Sequence, residues 1–197
     1  MRQMAKLGPI ARMRRRRSQP PEVIDAGPVV LRRNRPADAE ATARAIGESL
    51  EHLEPWMPWA EPRAATRQSQ AARIADVEMG WQRGTDFVYA MRRADGPDDE
   101  IVGIIGLHRR IGPRAAEIGY WTHVHHSGRG FMSAAARAIT EAAEGLDDVD
   151  RIEIHTDEAN VRSAAIPRKL GYRLDRIDVR RPEAPGESGR LQIWVRP

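Results

Sequence analysis

The sequence predicts an α/β (α+β) fold built on one mixed, mostly antiparallel sheet. Three observations carry that prediction. Residues 87–124 hold three apolar, strand-like runs divided by turn signals, the pattern of an antiparallel meander. From residue 115 onward the order is strand–helix–strand–helix–strand, which layers helices on a sheet. The length of 197 residues with 41% hydrophobic content suits one domain. A chain of that size buries about 70% of its unfolded surface.

Taken in order, residues 1–21 read as a basic disordered tail ending at Pro20-Pro21, and residues 22–197 as the folded domain. Val29-Val30-Leu31 predicts a short strand. Residues 36–50 predict a helix, because Ala41, Ala45, Ile46, Leu50 and Leu53 recur at helical spacing. Leu53-Glu54-Pro55-Trp56-Met57-Pro58-Trp59 is an aromatic loop pinned by two prolines, and residues 66–81 form a second helix. Strands follow at 87–91, 101–107 and 115–124, divided by Asp95-Gly96-Pro97-Asp98-Asp99 and by Gly112-Pro113. An alanine-rich helix over 131–144 stops at Gly145. Residues 152–155 predict a strand, 160–170 a helix followed by Gly171, and 172–179 and 191–195 the last strands.

Charge is unevenly placed. The formal net charge is +4, yet residues 1–17 hold seven basic side chains and no acid. The other 180 residues carry 25 basic and 28 acidic groups, a net of −3. A solvated tail is the leading expectation, with weak, salt-dependent contact to RNA or ribosomes as the functional one. The slightly acidic body disfavours a nucleic-acid-binding domain, and no RNA-binding aromatic motif is present. The chain has no cysteine, which excludes disulfides, thiolate zinc sites and a Cys nucleophile. The expected location is cytoplasmic. No run of ~18 apolar residues predicts a membrane span. The arginine-rich start lacks the apolar stretch of a secretory signal. A homodimer is allowed for.

The segment that points to chemistry is His125-His126-Ser127-Gly128-Arg129-Gly130-Phe131-Met132, between a strand and a helix. Two glycines let the backbone turn tightly and approach a ligand. The first helical turn offers free N–H groups and the positive dipole end, a site for phosphate. A plain strand–helix turn is an equal reading of the segment alone. A P-loop needs Gly-Lys-Ser/Thr, which is absent, and a dinucleotide fingerprint needs a third glycine where Ser133 stands. The pyrophosphate loop for coenzyme A is the third reading.

On these residues the chain resembles the GCN5-related N-acetyltransferase (GNAT) family, in particular its branch similar to the RimJ and RimL ribosomal-protein N-terminal acetyltransferases. The family loop runs Gln/Arg, two residues, Gly, one residue, Gly/Ala; this chain has His125, Gly128 and Gly130 in that register. His125 departs from the pattern, at little cost to a loop that binds through backbone amides. Ala116-Glu117-Ile118-Gly119-Tyr120-Trp121 is similar to the strand before the loop. Asn160-Val161-Arg162-Ser163 and Lys169-Leu170-Gly171-Tyr172 match the branch's later helix. The loop at 53–59 resembles its substrate-side loop. The likeness covers roughly residues 29–195.

The resemblance implies a single GNAT-like domain with a six- or seven-stranded sheet and helices on both faces. It also implies acetyl-CoA as co-substrate, direct transfer to an amine, and no metal. The strands ending near Val124 and His155 would splay apart, with the pantetheine arm pairing to open backbone near Thr122 and Val124. The pyrophosphate would lie on the amides of Gly128, Arg129, Gly130, Phe131, Met132 and Ser133.

Candidate roles follow. Strand alternation puts Glu117, Gly119, Trp121 and His123 on one face. A carboxylate beside an indole is expected to have a raised pKa and to act as general base, against the reading of a salt-bridged glutamate. Asn160 is a natural N-cap with Ser163 at N3, and it is also a candidate CoA contact. The resemblance makes Ser163 the proton donor to the departing thiolate. Where many relatives carry a tyrosine four residues on, this chain has Pro167, so an acid there is excluded. Trp56 and Trp59 are candidate walls of the acceptor pocket. A metal site at His123, His125 and His126 is disfavoured, because no carboxylate with ligand spacing accompanies them. Arg137, Arg168 and Lys169 read as solvated helix faces first and as phosphate contacts second.

The leading function is therefore acyl-CoA-dependent amine N-acyltransfer. The alternative is a non-catalytic CoA-binding or regulatory domain on the same fold. An α-amine with pKa about 7.7–8.0 is readily deprotonated near neutral pH, whereas a lysine at about 10.4 costs about 4 kcal/mol. A lone glutamate suits the first, which favours a protein N-terminus or a small-molecule amine as acceptor.

Overall fold

Phe87, Tyr89 and Met91 pack on one side of strand β3 (Asp86–Arg93), and Val88 and Ala90 on the other; all five are buried. A strand apolar on both sides needs cover on both. The first side is covered by α4 (Phe131–Ala143) through Met132, Ala135, Ala136, Ile139 and Ala143, small residues that bring the helix close to the sheet. The second is covered by α1 (Ala39–Gly47) through Ala45 and Ile46, joined by Leu53 and Ala60. The structure, a computed structural model, describes residues 18–196.

The sheet has eight strands in the order β1-β2-β3-β4-β5-β6-β8-β7. Besides β3 they are β1 (Val23–Asp25), β2 (Val29–Arg33), β4 (Gly103–His108), β5 (Ala115–Thr122), β6 (Arg151–Asp157), β7 (Arg173–Val179) and β8 (Arg190–Arg196). Among the described residues only β5 and β6 pair in parallel. The remaining helices are α2 (Leu50–Leu53), α3 (Arg67–Arg83) and α5 (Val161–Lys169).

Three expectations need correction. The eighth strand is β1, which has only Val23 and Ile24 as apolar residues and no alternation to betray it. It is a strand because it pairs with β2 across a turn where the Gly27 N–H donates to Asp25 Oδ1 at 2.8 Å. The helix expected over 36–50 is a 3-10 turn (Pro36–Asp38), then α1, then a break before α2. At the break the buried Ser49 turns its Oγ to accept the Val124 N–H at 3.1 Å. Third, β5 stops at Thr122, and Val124–His126 forms a 3-10 turn.

The basic side chains of residues 1–17, and with them the expected RNA contact, lie outside the described residues. Residues 18–21, read as the end of the tail, contact the body. Pro20 is buried, Gln19 Nε2 donates to the Trp81 carbonyl at 3.3 Å, and the Tyr89 hydroxyl donates to the Pro21 carbonyl at 2.8 Å. Among the described residues no helix is long and apolar enough to cross a membrane.

Candidate active site

The parallel pairing of β5 with β6 ends at Glu117↔Glu153, while β5 runs on to Thr122 against β4 and β6 to Asp157 against β8. The two strands therefore part beyond Glu117 and Glu153, as the sequence resemblance implies, and the sheet opens between them. A cavity lies on each side of the opening.

The larger, about 790 Å³, sits at the N-terminus of α4. Gly128 and Gly130 have φ of 79° and 81°, left-handed backbone that favours glycine. Among the described residues nothing comes within 4 Å of a Cβ built on either. Gly130 is the N-cap and supplies no side-chain cap, so the first N–H groups of α4 have no side-chain partner. An open cradle of uncapped amides fits a pyrophosphate. Thr122, Gly128, Gly130, Phe131, Met132, Ser133 and Asn160 all line this cavity. Val124 and Arg129 do not. The Val124 amide is held by Ser49, and the Arg129 side chain is exposed.

The smaller cavity, about 500 Å³, is lined by Trp56, Trp59, Arg73, His108, Arg110, Glu117 and His155, among others. The cavities share Trp56, Met57, Tyr120, Trp121, Asn160 and Ser163, so molecules bound one in each would meet at these six residues. Trp59 and Trp121 rings lie 6.3 Å apart, and the buried Trp121 Nε1 has no hydrogen-bond partner among the described residues. The roof comes from two loops clasped together, with the Gly186 N–H donating to the Pro55 carbonyl at 2.8 Å.

Glu117 is buried, yet it is not the raised-pKa carboxyl expected from its indole neighbour. Arg110 Nε and Nη2 donate to its two oxygens at 2.8 Å each, and His155 Nδ1 stands 4.0 Å away. Burial pushes the carboxyl up, but hydrogen bonding to Arg110, the His155 and Arg110 charges and His108 outweigh it and hold its pKa below the ordinary value. His155 Nε2 in turn lies 2.5 Å from Glu153 Oε2. His108 pairs with Asp86 at 2.8 Å, and burial lowers its pKa against the pull of Asp86. His123 and His126 reach Glu48 at 3.0 Å and Glu100 at 3.2 Å.

At the junction, Asn160 Oδ1 accepts the Ser163 N–H at 3.1 Å, the cap read from the sequence. Ser163 Oγ donates to the Tyr120 hydroxyl at 3.3 Å, and that hydroxyl donates to the Ser163 carbonyl at 3.2 Å. Pro167 explains the second bond. A residue at 167 would donate its N–H to the carbonyl at 163, and proline has none. Burial raises the Tyr120 pKa beyond what its bond to Ser163 takes off, so the phenol is protonated at neutral pH.

Sequence reading missed Tyr120, Arg110 and Arg73. The position excluded as a tyrosine acid, 167, is instead what frees a carbonyl for a tyrosine on β5. Arg110 was findable: the β4–β5 hairpin register pairs His108 with Glu117, which brings residue 110 to the same end. Arg73 had no signal beyond its place on a polar helix.

A mixed sheet opened between its one parallel pair, with an uncapped helix N-terminus at one side and a carboxylate-bearing cavity at the other, defines an acyltransferase that takes a CoA thioester. A family model described as "Acetyltransferase (GNAT) domain" matches residues 29–173, and the chain belongs to the GNAT acetyltransferase family. Acetyl-CoA is therefore its acyl donor and an amine its acceptor. The chain is 30% identical over 147 residues to "Putative ribosomal N-acetyltransferase YdaF" of Bacillus subtilis (strain 168), covering 73% of this chain and 77% of the relative. It is 28% identical over 122 residues to the ribosomal-protein-serine acetyltransferase of Escherichia coli (strain K12), covering 61% of this chain and 63% of the relative. Among solved structures, Mycobacterium smegmatis RimJ in complex with CoA-disulfide superposes with a TM-score of 0.79 at 24% identity, covering 91% of this chain and 88% of RimJ. That likeness is one of fold.

Proposed function

We propose that the protein acetylates the N-terminal α-amine of a protein or peptide. The observation that carries this reading is Glu117: a carboxylate in the acceptor cavity, held ionised and weakly basic by Arg110. Such a group serves an amine that already loses its proton near neutral pH and serves a lysine poorly. The names of the relatives, which refer to ribosomal proteins, point the same way.

Acetyl-CoA supplies the acyl group as a thioester. The amides of residues 128–133 hold its pyrophosphate end, with Thr122 and Asn160 along the arm. Trp56 and Trp59 wall the acceptor, and Trp121 lies beside the point where the cavities meet. Glu117 attracts and orients the amine and receives its proton through water. The Tyr120 hydroxyl gives a proton to the departing sulfur and is resupplied through Ser163. A thiolate is a far better leaving group than an alkoxide, so a hydrogen bond from the buried, protonated phenol serves the departing sulfur even before the proton is fully transferred.

The test is an acceptor panel read by free CoA thiol: peptides with free Ser or Ala N-termini, the same peptides N-terminally blocked but carrying lysine, and small amines. Turnover with free N-termini that vanishes on blocking supports the proposal. Turnover on blocked lysine peptides, or on small amines alone, overturns it.

A further inference from the structure

The acceptor cavity holds three guanidinium groups, and two are neutralised by the cavity's own acids. Arg110 forks onto Glu117 at 2.8 Å. Arg180 pairs with Glu187 at 3.0 Å and with Glu183 at 3.8 Å. The cavity's fourth carboxylate, Asp157, accepts N–H groups from Ala159, Ser188 and Gly189 and the Ser188 hydroxyl. Arg73 on α3 is different. It lines the same cavity, and among the described residues no carboxylate pairs with it. Its guanidinium carbon lies 5.9 Å from the centre of the Trp59 ring. The side chain is open to solvent, yet enclosure by the cleft pushes its pKa below the ordinary value. Every acid of the cavity thus has partners other than Arg73, which is the one guanidinium of its lining that no carboxylate pairs with among the described residues.

We infer that Arg73 selects acceptors that carry a carboxylate, binding it while the amine is held on the Glu117 side. The inference rests on the amine-acetyltransferase reading and sharpens it to a substrate class. The planar fork of arginine matches a carboxylate in two parallel hydrogen bonds, and its contact with Trp59 restricts the fork's freedom. An extra positive charge on the acceptor meets an unneutralised guanidinium instead. The carboxylate has two sources, an acidic side chain near a peptide N-terminus or the free α-carboxylate of a very short acceptor.

The experiment compares kcat/KM for Ser-Glu-Glu-Ala amide and Ser-Lys-Lys-Ala amide, and for Ser-Ala with a free or an amidated C-terminus. The proteins are the wild type, Arg73→Glu and Arg73→Lys. The wild type is expected to prefer the acidic peptide at least tenfold, Arg73→Glu to reverse the order, and Arg73→Lys to restore part of it. A preference confined to free Ser-Ala over its amide identifies the α-carboxylate as the source. An unchanged preference ratio in Arg73→Glu overturns the inference. Calorimetric binding of the same peptides to the CoA-loaded protein reads Arg73 apart from the chemistry. Charge-dependent binding without turnover would refute the transferase reading and keep the anchor, whereas equal binding of both tetrapeptides together with equal binding of free and amidated Ser-Ala, in wild type and Arg73→Glu alike, would refute the anchor.

Discussion

The Tyr120 hydroxyl donates to the Ser163 carbonyl while accepting from the Ser163 hydroxyl, a two-way bond between strand β5 and the first turn of α5. It spans the opening of the sheet at the residues both cavities share. Pro167 makes the bond available by leaving that carbonyl without a helical donor. In the proposed mechanism Tyr120 is the group that gives a proton to the departing sulfur, and Ser163 sits behind it.

Removing the phenol oxygen should hurt more than removing the serine oxygen. Tyr120→Phe is expected to lower kcat by about 10²-fold, the low end for a proton-transfer group, and Ser163→Ala by less. Neither should change the affinity for acetyl-CoA much, since the proposed cofactor contacts are backbone amides. Pro167→Ala returns a helical N–H to the Ser163 carbonyl and should lower kcat in the same direction. Steady-state kinetics on the three variants checks this; a Tyr120→Phe enzyme with wild-type kcat would assign the pair a structural role.

The second prediction concerns pH. Glu117 has a pKa held below the ordinary carboxylate value, so it is already ionised at neutral pH and contributes no limb there. The kcat/KM of the wild type should rise through the amine's own pKa, about 7.7–8.0, as a single limb. In Arg110→Met the guanidinium is gone and burial remains, which moves the Glu117 pKa upward. Activity at pH 6 should then fall relative to pH 8 by more than in the wild type. Matching profiles would mean that Glu117 takes no part in proton transfer.

Seven of the eight strands and most helix limits were legible, because they are periodic or punctuated by Gly and Pro: Thr66 caps α3, Asn160 caps α5, and Gly128 and Gly130 open α4. What was not legible depends on pairs far apart in sequence. Tyr120 and Ser163 are 43 residues apart, and Ser49 and Val124 are 75 apart. No local period announces either. Glu117 was legible as a position but not as a charge state, since its pKa turns on a bidentate partner seven residues upstream in the hairpin. Fold needs only the sign of each side chain's hydropathy, while a site needs its neighbours.

The cofactor cradle gives a third prediction. Gly130 holds φ at 81° with open space where a Cβ would project. On the proposed placement of the pyrophosphate at the opening of α4, Gly130→Asp puts both a side chain and a negative charge where the phosphates approach. Calorimetry should show CoA affinity falling at least tenfold, about 1.4 kcal/mol. Circular dichroism should show the fold retained, because nothing described crowds that position and the strain of one non-glycine residue in left-handed backbone costs only about 1–3 kcal/mol. A folded Gly130→Asp protein with unchanged affinity would move the pyrophosphate elsewhere.

The last prediction separates the basic tail from the residues that follow it. Tyr89 is fully buried in β3, and its hydroxyl donates to the Pro21 carbonyl at 2.8 Å. Gln19 donates to the Trp81 carbonyl, and Pro20 is buried beside them. A chain starting at Ser18 keeps all of these contacts, whereas one starting at Val23 leaves the Tyr89 hydroxyl without its acceptor. A buried polar group so stranded costs about 1–3 kcal/mol. For a domain of this size each kcal/mol shifts the melting temperature by about 2–4 °C. The longer truncation should therefore melt several degrees lower than the shorter one, and Tyr89→Phe should recover part of the difference by removing the stranded donor. Equal melting temperatures for the two truncations would show that water replaces the Pro21 carbonyl, and would put the start of the folded domain at β1.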